Sequence, residues 1–356
     1  MYRILVINPG STSTKIAIFE DEMCVYNKKV NHDPEELSKY DSLMDQEPMR
    51  RREVIRALNE AGYEISDFDA IAARGGILPP LESGTYEVDE VMVNYLKYET
   101  PVEHASNLAA VIAYELGEPH SIPVYITDPI SVDEMIPEAR FSGIPDIERK
   151  SLSHALNTKA VARKIAKELG RKYEELKMVI AHLGGGISVS AHDRGKMIDV
   201  NNANDEGPFS PERTGELPVG DVVKLSYSGK YAKKELKRRF VGKGGLIAYL
   251  GTNDLRKALE MAKNDEGANL VVEAMAYQIS KEIGGMCAVL GGNVDAIVLT
   301  GGMANNSDFI NRIKVYIYRF APVFVVPGEY EMEALALGAL RALKGEENPK
   351  KFGGER

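Results

Sequence analysis

Three glycine-rich turns, each preceded by a run of apolar residues, are the segments of this chain best suited to bind a ligand. They lie within residues 4–19, 179–190 and 296–306. Glycine lets the backbone approach a ligand closely, and the N–H groups of such a turn can point at phosphate oxygens. One such turn is weak evidence, but three in one chain predict that phosphate groups are held between two halves of the molecule.

The first two turns share a pattern that is typical of β-hairpins. In each, an apolar run enters a turn of glycine, serine and threonine, and a second alternating run leaves it. A P-loop would need Gly-x-x-x-x-Gly-Lys-Ser/Thr at the start of a helix, and neither this motif nor the Rossmann fingerprint occurs. A phosphate-binding hairpin used twice predicts an internal duplication of one α/β unit, with nucleotide in the cleft between the copies.

The elements around these turns follow from apolar periodicity and from glycine and proline positions. Helices are predicted at residues 50–61, 104–116, 151–169, 266–290 and 331–344. Strands are predicted at residues 70–73 and 123–126, with a sheet meander at 177–200. Residues 128–145 are rich in proline and acidic residues, which makes them the best candidate for a crossover between domains.

In the three turns, and nearly from end to end, the chain resembles the acetate and butyrate kinase family, within the superfamily of sugar kinases, Hsp70 and actin. The resemblance implies an α/β fold of two duplicated ribonuclease H-like (actin-like ATPase) domains, with mixed sheets flanked by helices and an active site in the interdomain cleft. It implies an N-terminal domain of residues 1–130 plus 331–356 and a nucleotide-binding domain of residues 131–330. The apolar, small-residue face of residues 334–340 suits a C-terminal helix that returns to the first domain.

The resemblance also assigns ATP or ADP to the three turns, as two phosphate motifs followed by an adenosine motif. We expect backbone contacts to the nucleotide at the glycines. The residues expected to bind nucleotide are Asn8, Ser11, Thr12, His182, Gly184, Gly185, Gly186, Gly301, Gly302 and Asn305.

A carboxylic acid as phosphoryl acceptor sets its own requirement. A carboxylate is already ionised at pH 7, so no general base is needed, but an anion must approach a triphosphate. Such a site should contain arginine, which stays charged and binds carboxylate or phosphate at two points. Arg74, before Gly75-Gly76, and Arg213, in the loop 206–216, match arginines of the family pattern and are predicted to be catalytic.

The remaining site residues are implied by the resemblance. His154 lies at a predicted helix start and matches the histidine that stabilises the transferring phosphoryl group. Asp128 is expected both in catalysis and at Mg²⁺, together with Asn8 and Glu331, because Mg²⁺ prefers oxygen ligands. Glu333 is an alternative to Glu331 as the carboxylate near the metal.

Several departures from the acetate kinase pattern point to the butyrate branch of the family. They include Ala73-Arg74-Gly75-Gly76, the loop 208–213 and residues 326–331. Two further methylenes favour butyrate over acetate by only about fifteenfold, at about 0.8 kcal/mol each. An isobutyrate, branched-chain, propionate or acetate kinase therefore stays a possible alternative. A more distant one is an actin-like or Hsp70-like ATPase without a carboxylate substrate.

Composition agrees with a soluble enzyme of two domains. The chain has 356 residues, 44% hydrophobic and 27% charged, with a net charge of -9 that argues against nucleic acid or an anionic membrane as partner. No run is long enough to span a membrane and the first residues read as a strand, which predicts a cytoplasmic protein. Cys24 and Cys287 are expected to be reduced thiols. The expected partners are nucleotide and a small carboxylic acid, and the resemblance implies a homo-oligomer, a dimer or larger.

Overall fold

A computed structural model describes residues 1–101 and 103–353 of the chain. The chain divides into two compact units. Unit 1 comprises residues 1–132 and the chain from residue 330 onward, and unit 2 comprises residues 133–329. Each unit is built around one sheet with helices packed against it.

Unit 1 contains a mixed seven-stranded sheet in the order β12-β5-β6-β4-β1-β2-β3. Its strands are β1 (Arg3–Pro9), β2 (Ser13–Glu20), β3 (Met23–Asn31), β4 (Ala70–Ala73), β5 (Thr85–Glu87), β6 (Val124–Thr127) and β12 (Lys350–Lys351). Its helices are α1 (Pro34–Leu37), α2 (Glu47–Glu60), α3 (Glu90–Asn94), α4 (Asn107–Gly117) and α12 (Glu331–Leu343), with a π-helical turn at Tyr95–Glu99.

Unit 2 contains a mixed five-stranded sheet in the order β11-β10-β7-β8-β9. Its strands are β7 (Lys177–Leu183), β8 (Ile187–Asp193), β9 (Lys196–Val200), β10 (Ala296–Gly301) and β11 (Val323–Pro327). Its helices are α5 (Ala155–Glu168), α6 (Val219–Ser226), α7 (Lys233–Phe240), α8 (Gly245–Leu250), α9 (Leu255–Ala262), α10 (Glu266–Val289) and α11 (Ser307–Ile317).

The two sheets repeat one arrangement of strands, as an internal duplication predicts. In unit 1, β1 pairs antiparallel with β2, β2 with β3, and β1 pairs parallel with β4, which pairs parallel with β6. In unit 2, strands β7, β8, β9, β10 and β11 pair in the same way. The first two glycine-rich turns are therefore the tips of equivalent hairpins, β1–β2 and β7–β8.

The two faces of the unit 1 sheet are buried by different helices. Successive side chains of a strand point to opposite faces. Leu5 and Ile7 of β1 belong to the apolar cluster that also contains residues of α2 and α4, whereas Ile4 and Val6, also fully buried, point the other way. The returning helix α12 packs on β1, β4 and β6, and its Leu335 and Ala339 are buried. Helix α12 thus packs on the first strands of the chain within unit 1.

Several details of the structure differ from the sequence expectations or were not covered by them. The helix expected from residue 151 begins at Ala155, with His154 as its N-cap residue. The helix expected from residue 104 begins at Asn107, because His104 and Ser106 form a local turn through the His104 Nδ1 atom. Residues 219–262, for which periodicity gave no element, form the four short helices α6, α7, α8 and α9. Among the residues that the structure describes, no helix has the length and apolar character needed to cross a membrane.

Helix α12 approaches the sheet closely because it carries a glycine at the contact. A Cβ atom on Gly338 would lie only 2.0 Å from Thr127 Oγ1 and 2.7 Å from Thr127 Cγ2. Both faces of this contact are buried, so no flexible side chain could move aside. The glycine is therefore needed for the packing of α12 on β6.

Replacing Gly338 with alanine is expected to destabilise the protein by about 1–3 kcal/mol, the usual cost of overfilling a packed core. The matched control is Gly285→Ala in α10, where a new Cβ meets no atom within 4 Å. That change should stabilise by about 0.5–1 kcal/mol, since alanine is the better helix former. Urea unfolding followed by circular dichroism measures both. A Gly338→Ala midpoint at or above the wild-type midpoint would refute the packing argument.

Candidate active site

Unit 1 has a cleft of about 520 Å³ at the edge of the sheet where β1 and β4 end. These two strands run parallel, so the residues that end or follow them meet at one edge. The cleft is lined by the tip of the β1–β2 hairpin, by Arg74 after β4, by residues 103–106 and by the first residue of α12. Of the predicted site residues, Asn8, Ser11, Arg74 and Glu331 line this cleft, and Thr12 is exposed next to Ser11.

Glu331 joins two of these residues through its carboxylate. Its Oε1 atom forms an ion pair with Arg74 Nη1, and its Oε2 atom accepts a hydrogen bond of 2.9 Å from Asn8 Nδ2. Burial alone would raise the pKa of Glu331, but the charge of Arg74, hydrogen bonds from Arg74 and Asn8, and the charge of Lys15 bring it below its usual value. The carboxylate is therefore ionised at neutral pH.

The glycines after Arg74 explain how its position is held. The Arg74 amide donates to Ile7 O at 3.1 Å, which continues the pairing of β4 with β1. A Cβ on Gly75 would lie 2.4 Å from Pro129 Cβ, and one on Gly76 would lie 2.7 Å from Asn107 Oδ1. Only glycine fits at both positions. The chain consequently leaves the strand along one path, with the Arg74 side chain in the cleft.

His104 also lines the cleft, although the sequence analysis did not select it. Its Nδ1 atom accepts from the Ser106 backbone N–H at 3.2 Å, so the neutral ring carries its proton on Nε2. Burial and the charge of Arg74 lower the pKa of His104, which keeps the ring neutral at pH 7. The only signal in the sequence was its position at the start of the helix predicted over residues 104–116.

Asp128 is placed differently from the other predicted metal ligands. Its side chain is 0% exposed, and Oδ1 accepts hydrogen bonds from the Ser83 hydroxyl and, at 2.9 Å, from the Gly84 amide. Its backbone is left-handed, with φ of +40°. The structure thus does not bring Asp128 to the wall of the unit 1 cleft, and its role at a metal stays a prediction.

The unit 1 cleft fits Mg²⁺ in one specific sense. No group of three or more histidine, cysteine, aspartate or glutamate residues that could hold a metal ion is found within residues 1–101 and 103–353. Mg²⁺, however, usually takes only one or two carboxylates and completes its octahedron with water and phosphate. Glu331 supplies an ionised carboxylate, and Asn8 and the Ser11 hydroxyl supply neutral oxygens nearby. The donor set therefore suits a metal that arrives with a phosphate ligand.

In unit 2 the two predicted histidines are stacked. The rings of His154 and His182 lie 3.9 Å apart between centroids, with an interplanar angle of 8°. Asn157 Nδ2 lies 2.8 Å from His182 Nδ1, and an amide nitrogen can only donate, so the proton of neutral His182 is on Nε2. His154 Nδ1 lies 2.9 Å from the Ser188 hydroxyl. Asn157, which the sequence analysis missed, orients His182 from the first turn of α5.

The second glycine turn receives these groups and Arg213. A Cβ on Gly184 would lie 3.1 Å from His182 Nε2, and one on Gly186 would lie 2.2 Å from Arg213 Nη1. The guanidinium thus lies across Gly186, with Nη1 donating to Ala203 O at 2.9 Å. Burial lowers the pKa of Arg213, against the opposing charges of Glu212 and Asp205. An arginine remains charged even so. Gly185 faces Glu212 instead: a Cβ on Gly185 would lie 3.6 Å from Glu212 Oε2.

The third glycine turn has one structural and one open glycine. Gly301 has φ of +91°, and a Cβ there would lie 2.4 Å from Leu183 O, so it is needed for packing on β7. A Cβ on Gly302 would meet no protein atom within 4 Å, which leaves space above its backbone. The Asn305 side chain donates to Gly302 O at 3.0 Å and so holds the turn. Binding of nucleotide at Gly301, Gly302 and Asn305 stays a prediction.

A group of acidic side chains surrounds Arg149 beside the loop that carries Arg213. Arg149 donates to Glu206 Oε2 at 3.0 Å and to Asp199 Oδ1 at 3.2 Å. Glu282 of α10 lies nearby. Burial first, and then the charges of Glu216, Asp199 and Glu206 against that of Arg149, raise the pKa of Glu282 to about 7.

Comparison with known proteins gives one consistent result. The model of the acetokinase family matches residues 147–323. A probable butyrate kinase of Thermotoga petrophila is 64% identical over 352 residues, covering 99% of both chains. A probable butyrate kinase 1 of Thermotoga maritima is 64% identical over 347 residues, covering 98% of this chain and 97% of the relative.

Solved structures agree on the fold. An acetate kinase of Porphyromonas gingivalis matches with a TM-score of 0.79 at 19% identity, covering 97% of this chain and all of that one. A propionate kinase of Francisella tularensis matches with a TM-score of 0.73 at 18% identity, covering 95% and 99%. The predicted fold class, with two actin-like α/β repeats, is confirmed by these likenesses.

The raised pKa of Glu282 predicts a pH-dependent loss of stability. Between about pH 4.5 and 7 the folded protein keeps a proton that the unfolded chain releases, so the contribution of Glu282 to stability falls as pH rises through this window. Glu282→Gln cannot ionise. At pH 8 we expect the variant to melt a few degrees above the wild type, which corresponds to about 1–2 kcal/mol in the free energy of unfolding. This difference should shrink towards pH 5. The exposed Glu235→Gln is the control. Equal differences at both pH values would contradict the assignment.

Proposed function

The chain belongs to the acetokinase family, and from this premise we propose that it is a butyrate kinase, which transfers a phosphoryl group reversibly between ATP and butyrate. The observation that carries the proposal is the 64% identity, along the whole chain, to two probable butyrate kinases. The products would be butyryl phosphate and ADP.

We also propose that the two units are the two expected domains, with boundaries near residues 130 and 331.

The reaction requires little covalent chemistry from the protein. A butyrate oxygen forms a bond to the γ-phosphorus of ATP while the bond from that phosphorus to the β–γ bridging oxygen breaks. The acid is already ionised, so no residue has to remove a proton. What the protein must supply is alignment and positive charge.

We propose that Arg74 and Arg213 supply this charge. Arg74 is held in the unit 1 cleft by an ionised carboxylate, so its guanidinium has a fixed position but retains donors beyond that one contact. Arg213 is half-buried, and no carboxylate lies within 4.0 Å of it in the described part of unit 2. A half-buried cation without a close counterion favours the arrival of an anion. These features support a role at the carboxylate or at the transferring phosphoryl group.

We propose that the stacked histidines act as neutral donors. Two parallel rings 3.9 Å apart disfavour a charge on both at once. The contact with Asn157 puts the proton of a neutral His182 on Nε2, so this ring can donate a hydrogen bond from that atom. The same chemistry is proposed for His154 at the start of α5, where the helix N-terminus already favours an anion.

The metal is proposed to be Mg²⁺, held by Glu331 with Asn8 and by the phosphates themselves. When bound it would neutralise phosphate charge. Glu331 and Asn8 orient each other through their hydrogen bond. Asp128, which directly follows β6, stays the further carboxylate proposed for catalysis and for the metal, and its Oδ1 atom accepts hydrogen bonds from Ser83 and Gly84. From the family likeness we further propose a cytoplasmic homo-oligomer.

A panel of acids tests the activity. Purified protein with ATP, Mg²⁺ and acetate, propionate, butyrate, isobutyrate or valerate is assayed by trapping acyl phosphate with hydroxylamine. Butyrate should exceed acetate in kcat/KM by about fifteenfold, the limit set by two buried methylenes. A maximum at acetate, propionate or isobutyrate would make the chain a kinase of that acid. Loss of ATP without trapped acyl phosphate would establish an ATPase instead.

Arg74→Ala and Arg213→Ala test the site in the same assay. Each should lower kcat by about a hundredfold, the scale of losing one preorganised donor. The control is Arg256→Ala, which removes a surface arginine that is 84% exposed. Near wild-type kinetics in a folded Arg74 or Arg213 variant would remove that arginine from the site.

A further inference from the structure

Among the residues that the structure describes, the largest fully buried side chain is an arginine outside the site residues discussed so far. Arg50 lies in α2 and is 0% exposed. Arg50 is not among the residues proposed to contact ATP, the metal or the carboxylic acid. Burying a guanidinium is costly unless each of its donors is bonded, so its partners show what it holds.

All five N–H donors of Arg50 have acceptors. Nη1 donates to Gly10 O at 2.7 Å and to Ser13 O at 3.3 Å, and Nη2 donates to Ser11 O at 2.8 Å. The remaining bonds, from Nε at 3.1 Å and Nη2 at 2.9 Å, go to Gln46 Oε1. A planar fork with five donors is therefore satisfied, and three of its five bonds reach backbone carbonyls of the first glycine turn.

These bonds turn the carbonyls of the loop 10–13 towards the protein. The fourth carbonyl, that of Thr12, accepts from the His32 amide at 2.9 Å, and Ser13 O also accepts from the Gly10 amide at 2.7 Å. The amides of Ser11 and Thr12 donate to no acceptor within residues 1–101 and 103–353, and both residues are exposed. The loop thus presents N–H groups outward, which is the arrangement of an anion-binding turn.

The charge of Arg50 is not neutralised nearby. No carboxylate lies within 4.0 Å of its guanidinium in the part of the chain that the structure describes. Burial lowers the pKa of Arg50, although arginine stays charged at neutral pH. His32, whose Nε2 atom contacts the Thr14 hydroxyl at 2.8 Å, is neutral, because burial and the charge of Arg50 lower its pKa to about 4. A single positive charge therefore lies behind the loop.

We propose that Arg50 is the positioning residue of the phosphate-binding turn in unit 1: it fixes the loop carbonyls inward and places a buried positive charge behind the outward N–H groups. The ligand it serves is a phosphate group of ATP, so the inference rests on the proposed function. Arg50 itself contacts no substrate. It acts through residues 10–13.

Binding measurements separate this role from a general loss of structure. Arg50→Met and Arg50→Lys are compared with wild type by calorimetry of Mg-ATP and of adenosine, which has no phosphate. The matched control is Arg52→Met, an exposed arginine of the same helix. We expect Arg50→Met to weaken Mg-ATP binding tenfold or more and to leave adenosine binding within twofold. Arg50→Lys, which keeps the charge without the fork, should lie between Arg50→Met and wild type.

The outcomes are distinguishable from a failure of the proposed function. A folded Arg50→Met that binds Mg-ATP like wild type, in a chain that forms acyl phosphate, overturns the role of Arg50 alone. Equal weakening of Mg-ATP and adenosine also overturns it, since that indicates general disruption. If Arg50→Met does not fold, Arg50→Lys decides, and unchanged Mg-ATP affinity in that variant refutes the proposal. If the wild type makes no acyl phosphate but Arg50→Met still loses Mg-ATP binding selectively, the proposed kinase activity is refuted. The role of Arg50 in the anion-binding loop then stands.

Discussion

The cleft of unit 1 depends on one half-buried carboxylate, that of Glu331. Glu331 is the first residue of the last long helix, and it contacts Asn8 at the end of the first strand and Arg74 after the fourth. Partial burial of an ionised carboxylate is costly unless the group is paired and hydrogen-bonded, and these two partners provide both. The contact therefore ties the C-terminal helix to the carboxyl edge of the sheet. Gly338 lets that same helix approach β6 closely enough for the contact to form.

The same constraint gives the cleft its chemical character. The negative charge of Glu331 partly offsets the positive charge of Arg74 in the cleft. In return, the charges of Arg74 and Lys15 keep Glu331 ionised. A wall with fixed charges of both signs suits a phosphate that arrives with a divalent cation. In unit 2 the histidines are oriented by a neutral group instead, because Asn157 sets the tautomer of His182. Protein dipoles placed in advance need no rearrangement during phosphoryl transfer.

The sequence predicted the turns and the fold because their signals are local. Alternating runs on either side of a glycine turn indicate a hairpin, and both hairpins are observed. Residues 323 positions apart, Asn8 and Glu331, could be joined only through the family resemblance, since no local pattern relates them. Arg50 could not be identified at all. In the sequence it is one of three consecutive arginines on a helix, and only burial distinguishes it from Arg52.

The misplaced details also have physical reasons. His154 is the N-cap residue of α5 and lies outside the helix. The sequence placed it inside because helical spacing does not mark the first residue of a helix. The side chain of Asp128 is drawn to Ser83 and Gly84 by a left-handed backbone that a strand-end pattern does not reveal. Glu331 and Glu333 are equivalent candidates in the sequence but differ in the structure, where Glu331 lines the cleft and Glu333 is exposed.

We propose that the Glu331 carboxylate orders the cleft and would hold Mg²⁺ there. The most direct test is the Mg²⁺ dependence of acyl phosphate formation in Glu331→Gln, with Glu333→Gln as the matched control. Glutamine keeps the size of the side chain but loses the charge that pairs with Arg74. For Glu331→Gln we expect a kcat about a hundredfold below that of the wild type. We also expect its Mg²⁺ concentration at half-maximal rate to be at least tenfold higher than that of the wild type. Glu333→Gln should match the wild type in both. Wild-type Mg²⁺ dependence and turnover in Glu331→Gln, or the same losses in Glu333→Gln instead, would contradict it.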